Sequence, residues 1–130
     1  MTLSESLYAY LASDSGVKRL VGARIYFAWL PKLPQLPAIT CRQISRRPVH
    51  VRPGLANPIV AVRMQFDVLA TEYASLELVA AALKAALYGF AQANAPRVYG
   101  TRVDSEMTMP PTDVVHGRRV IDAFVWYAEE

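Results

Sequence analysis

The sequence predicts an α+β domain, a mainly antiparallel four-stranded sheet with helices packed on one face, in the order α-β-β-α-β-β. Three observations lead there. Val60, Val62, Met64, Phe66 and Val68 alternate with Arg63, Gln65 and Asp67, the pattern of a strand in a sheet packed on one side. Leu76, Val79, Leu83 and Leu87 then recur at helical spacing, with Ala80 and Ala86 beside them to let the helix lie close. Finally, the run 118–127 is apolar on both faces, Ile121, Ala123, Val125 and Tyr127 on one and Val120, Phe124 and Trp126 beside Asp122 on the other. Helices of so small a domain cover one face of its sheet, so the face bearing Phe124 and Trp126 needs another partner.

Taken in order, Thr2-Leu3-Ser4-Glu5 fits a capping box, and Leu3, Leu7 and Leu11 follow at helical spacing, which predicts a helix over 3–12. Val17, Leu20 and Val21 suggest further helical turns closed by Gly22, after which Arg24 to Phe27 turn extended. Pro31, Pro34 and Pro37 mark an irregular crossing. The first strand is expected over 38–46, entered through Pro37 and left before Pro48. Residues 47–58, with three prolines, one glycine and no acid, read as a mobile arm. The second strand is Ile59–Ala70, and Thr71 suits the N-cap of a helix over 72–88 that ends at Gly89. Strands over 97–107 and 118–128 complete the domain.

A chain of 130 residues with 53% hydrophobic content makes one domain, 1–130, able to bury roughly two thirds of its unfolded surface. A single cysteine, Cys41, excludes an internal disulfide and a cysteine-built zinc site. Glu5 precedes any basic residue, unlike a signal peptide, and the apolar run 76–87 is too short to span a bilayer. The expectation is a soluble protein. The net charge of +3 is unevenly spread: residues 33–66 hold no Asp or Glu but carry Arg42, Arg46, Arg47, Arg52 and Arg63. Such a stretch is a solvated basic face, a contact for an acidic protein surface, or a contact for DNA phosphates.

No constellation carries recognisable catalysis. Cys41 with His50 or His116 lacks an orienting third group and an oxyanion site, and a strand cysteine is usually a small buried apolar residue. Asp104 and Glu106, two apart on a strand, are expected on one face, where a charged surface or subunit contact outweighs acid–base work or a cation site. His50 and His116 have no metal-ligand spacing, and the glycines form no phosphate loop. Tyr99 beside Arg97 is a weak nucleic-acid platform without a second aromatic on that strand. No cofactor is expected. The candidate contact residues are Phe124 and Trp126 on the last strand, and Arg47, His50, Arg52 and Arg63 in the basic segment.

Several ordered pieces carry a family resemblance: Ser6-Leu7-Tyr8-Ala9-Tyr10-Leu11, Leu20-Val21-Gly22-Ala23-Arg24-Ile25-Tyr26, and Leu36-Pro37 entering a strand that closes on Gln43-Ile44-Ser45. Val62-Arg63-Met64-Gln65-Phe66-Asp67-Val68 follows, then Ala70-Thr71-Glu72-Tyr73-Ala74 and an alanine-rich helix, and finally Arg118-Arg119, Asp122 and Trp126-Tyr127. Together, over nearly the whole chain, they resemble the tail-completion family of long-tailed bacteriophages. Phe124 departs from the pattern, since a polar or charged residue is expected there. The resemblance implies a non-enzymatic virion protein made in the bacterial cytoplasm and placed at the head-proximal end of the tail. It further implies a homo-oligomeric ring, six-fold in the usual case, that completes the tail and joins it to the head connector. Its partners would be itself, the tail-tube protein and head–tail connector proteins, with DNA passing through the ring and no membrane involved. The competing class is a small basic nucleic-acid-binding module.

Overall fold

The computed structural model describes residues 2–28, 30–31, 35–49, 59–94, 96–109 and 117–128. Its elements run α1 (Leu3–Ser13), α2 (Ser15–Val21), β1 (Ile25–Phe27), β2 (Ala38–Pro48), β3 (Ile59–Ala70), α3 (Tyr73–Tyr88), β4 (Val98–Met109) and β5 (Gly117–Ala128). The sheet has five strands in the order β1-β2-β3-β5-β4. β1 pairs parallel with β2, and the other three pairings are antiparallel. The domain is therefore α+β, but the expected four-stranded antiparallel sheet is corrected to a mixed five-stranded one with three helices. The extra strand is the extended Ile25–Phe27 segment, three residues too short to alternate visibly. It joins the sheet only because Ile25, Tyr26 and Phe27 align with Ile39, Thr40 and Cys41, a non-local pairing.

The first helix forms as its sequence dictates. The Glu5 amide donates to Thr2 Oγ1 at 3.1 Å and the Thr2 amide donates to Glu5 Oε1 at 3.2 Å, which closes the capping box. Asp14 ends α1 and starts α2, its carboxylate accepting from the Val17 amide at 3.1 Å. Gly22 closes α2 at φ +60°, a backbone region that costs a side chain-bearing residue strain. At the start of α3 the N-cap position is Glu72 rather than Thr71, and no side chain caps it. Gly89 ends α3 without a positive φ. Its requirement is spatial instead: a Cβ there would stand 2.9 Å from the Tyr10 hydroxyl. That hydroxyl donates to the Ala86 carbonyl at 2.7 Å, and the Tyr10 ring packs on Phe90 with centroids 5.0 Å apart, which ties α1 to the end of α3.

The core lies between the helices and one sheet face. Val60, Val62, Met64, Phe66 and Val68 of β3 are buried with Ile121, Ala123 and Val125 of β5 beneath Leu76, Val79, Leu83 and Leu87 of α3. Leu7, Leu11, Val17 and Val21 extend that layer over Ile25, Ile39 and Cys41. On β2 a bulge between Gln43 and Ser45 breaks the alternation and leaves Ile44 43% exposed. The strand also continues past the predicted end at 46: Arg47 lies opposite Ala61 and Pro48 opposite Val60. Residues 50–58, the rest of the predicted arm, lie outside the described residues. Among those described, no helix is long and apolar enough to cross a membrane.

Phe66 is fully buried at the centre of this core. Phe66→Ala should cost about 3–5 kcal/mol of stability, read from denaturant unfolding. An unchanged midpoint would mean that Phe66 does not pack in the core.

Candidate functional site

Alternation places the other half of each strand on the opposite sheet face. There β2 contributes Arg42, Ser45 and Arg47, β3 contributes Ala61, Arg63, Gln65 and Asp67, and β5 contributes Val120, Asp122, Phe124 and Trp126. β4 adds Gly100, Arg102, Ser105 and Met107 through two bulges. Among the described residues no helix covers this face. The bulge between Val103 and Ser105 also corrects the expected Asp104–Glu106 pair. Asp104 pairs with Arg102 at 3.7 Å, whereas Glu106 meets Lys84 of α3 at 2.7 Å and Arg119 at 3.5 Å, on the helical side.

Asp122 is the electrostatic centre of the open face. It is 7% exposed, accepts from Arg63 at 2.6 Å and from Gln65 Nε2 at 3.3 Å, and takes the Ser105 hydroxyl at 3.4 Å. Gln65 Oε1 in turn accepts from Arg42 Nε at 3.1 Å, which extends the network to β2. At the other end Arg118 pairs with Asp67 at 3.0 Å. Burial nevertheless holds the Asp67 carboxyl above its ordinary 3.8, since Arg118 and Arg42 pull it down without cancelling that effect. Asp67 Oδ1, one of its two oxygens, has no hydrogen-bond partner.

Beside this network lies a recess of about 330 Å³ lined by Arg47, Arg63, Arg102, Phe124 and Trp126, with Ser45 and Ala61 as its small residues. Phe124 and Trp126 pack with ring centroids 6.0 Å apart, and the Arg102 guanidinium lies 5.7 Å from each centroid, within cation–π range. The recess unites four sequence candidates, Phe124, Trp126, Arg47 and Arg63. The other two, His50 and Arg52, lie outside the described residues, as does His116. Arg102 and Asp122 were not among the candidates. Their signal is a register: Asp122 falls diagonal to Arg63 and opposite Gln65, and Arg102 opposite Phe124, which becomes legible only once β3, β5 and β4 are paired.

Cys41 is buried against the helices, and burial, with Asp67 adding to it, pushes its thiol pKa far up, which favours the neutral thiol. Among the described residues no cluster of three or more His, Cys, Asp or Glu side chains is placed to hold a metal ion. What the open face offers is a cationic and aromatic surface. A second surface lies in the helical layer, where Tyr8 and Ala9 of α1 and Phe27 of β1 wall an apolar groove of about 490 Å³ with Ser4 and Glu5 at its edge.

Comparison with known proteins adds two findings. Residues 5–127 match the family described as Tail completion protein gp17. A solved structure titled "Virion of native gene transfer agent (GTA) particle" contains a chain of the same fold, with a TM-score of 0.71 at 18% identity, covering 98% of this chain and 95% of that one. No curated protein gives a significant match.

Two tests follow from the ion network. Asp122→Ala should cost about 1–3 kcal/mol by leaving polar partners unmatched, and half-exposed Arg63 keeps the effect at that level by turning to water. Denaturant unfolding checks it, and a cost near zero would mean that the network adds nothing to folding. For Asp67 the sign runs opposite to the usual carboxylate: a raised folded value means that its contribution is fully present below pH 3.8 and lost as pH rises through the folded value. The stability of the natural chain minus that of Asp67→Asn should therefore fall across that interval and then level off. A rising difference in thermal melts over the same range would reverse the assignment.

Proposed function

The chain belongs to the tail completion gp17 family, and from that premise we propose that it finishes a phage-type tail as a closed ring of identical subunits. It is a structural component of the phage virion. In the proposed assembly six copies form the ring at the head-proximal end of the tail, joining tail-tube protein to head–tail connector proteins, with DNA passing through the opening. The role is mechanical, and no catalytic step belongs to it.

The observation that carries this reading is the open sheet face with Phe124 and Trp126. Aromatic side chains flanked by arginines, left uncovered by the subunit's own helices, have the composition of an interface centre. A closed ring needs two different patches per subunit, since each contact is heterologous. The recess supplies one of them. The arginine-rich β2 strand, exposed from Arg42 to Pro48, favours DNA contact as a second reading. Duplex DNA separates the two: the second reading requires DNA binding that weakens steeply as salt rises, and no binding at low salt would dismiss it.

Light scattering on concentrated protein, with electron microscopy of any assembly, tests the ring. Trp126→Ala should weaken self-association by about 2 kcal/mol or more, roughly 30-fold in dissociation constant, while the monomer melts as before. Unaltered association of that variant would remove the open face from the subunit contact.

A further inference from the structure

We propose that the recess on the open sheet face of one subunit receives the α1–β1 shoulder of the next copy, the Glu5–Tyr8 strip seated against Phe124 and Trp126. This inference rests on the ring reading and names the pair of patches that would build it. The two surfaces lie on opposite sides of the subunit, one on the open face of the sheet and one in the helical layer, as a head-to-tail contact requires.

Their chemistry is complementary. The recess brings together Arg47, Arg63 and Arg102. Arg63 and Arg102 have acidic partners, and Arg47 has no ion pair among the described residues. Arg63 Nε is buried without a hydrogen-bond acceptor. An incoming carboxylate would serve Arg47 and the exposed guanidinium ends of Arg63 and Arg102. The shoulder supplies one: α1 carries no basic residue, and its Glu5, which accepts from the Thr2 amide through Oε1, keeps a second carboxylate oxygen for another donor. Tyr8 lies three residues further along the helix, so its ring shares an exposed strip with Glu5. Its ring stands 6.3 Å from that of Phe27, and the groove they wall is apolar and of a size to take an aromatic side chain. One contact thus pairs arginines with a carboxylate and sets two aromatic pairs against each other.

Cysteine cross-linking tests the pairing directly, with Ala9→Cys at the shoulder and Ser45→Cys at the recess, both in the full chain. Cys41 is buried and should stay silent, which the natural chain controls for. Under mild oxidation the double variant should give a ladder of covalent oligomers ending at the ring size, while each single variant stays uncross-linked. A dimer from Ser45→Cys alone would mean that two sheet faces meet each other, and would overturn the proposal. Light scattering on the same samples separates the two levels of argument. Rings by mass with no ladder from the double variant would reject this pairing and leave the ring intact. Monomers at every concentration, with no ladder, would reject both.

Discussion

All twelve residues of β3 pair with the twelve of β5 in one unbroken antiparallel register, and that pairing governs both faces of the molecule. Because side chains alternate, a slip of β5 by one residue against β3 would send Ile121, Ala123 and Val125 to the open side and bring Asp122 under the helices. The cost of burying that carboxylate against α3 makes such an odd slip untenable. The apolar stripe of α3 thus fixes the open face indirectly. By claiming Val60, Val62, Met64, Phe66 and Val68, it leaves Arg63, Gln65 and Asp67 with no place but the far side.

On that far side the charges are arranged rather than merely exposed. Asp122 sits beneath the plane of its neighbours and gathers Arg63, Gln65 and Ser105 from the two flanking strands. The pairing lets a carboxylate be nearly buried between Phe124 and Val120 without remaining bare. It also holds the Arg63 guanidinium at the rim of the recess instead of free in solvent. Asp67 lacks such a set of donors. One of its oxygens goes unpartnered, which is why burial outweighs its arginines there.

Much of this was legible in the chain. The period-two alternation of β3 and the leucine stripe of α3 named the core residues, because each pattern has one apolar face and one possible use. The two-faced β5 announced a surface without a partner, and Phe124 and Trp126 do lie on the open side. What the sequence concealed depends on pairing. β1 is too short to carry a pattern and exists as a strand only against β2. The bulge on β4 sends Asp104 and Glu106 to different partners, though their spacing on a regular strand predicts one face. Asp14 and Glu72 took the cap positions by geometry, while Thr71, the better capping side chain, fell one residue outside.

The guanidinium of Arg102 partly screens the aromatic pair of the open face from water. Phe124 and Trp126 are each half-buried, and Arg102 lies equally close to both rings. A cation over the π-face shields apolar area while keeping its charge solvated, so it blunts the aggregation that an exposed tryptophan invites. The same side chain is paired with Asp104 at 3.7 Å, a weak and exposed bond that is readily given up. If the proposed ring forms, a neighbouring subunit that offers a carboxylate would draw Arg102 to itself at little cost and uncover the rings in the same movement. In the ring proposed above, the face would thus be shielded while vacant and opened when a matching surface arrives, and both would follow from one arginine placed across from Phe124 by the register of β4 on β5.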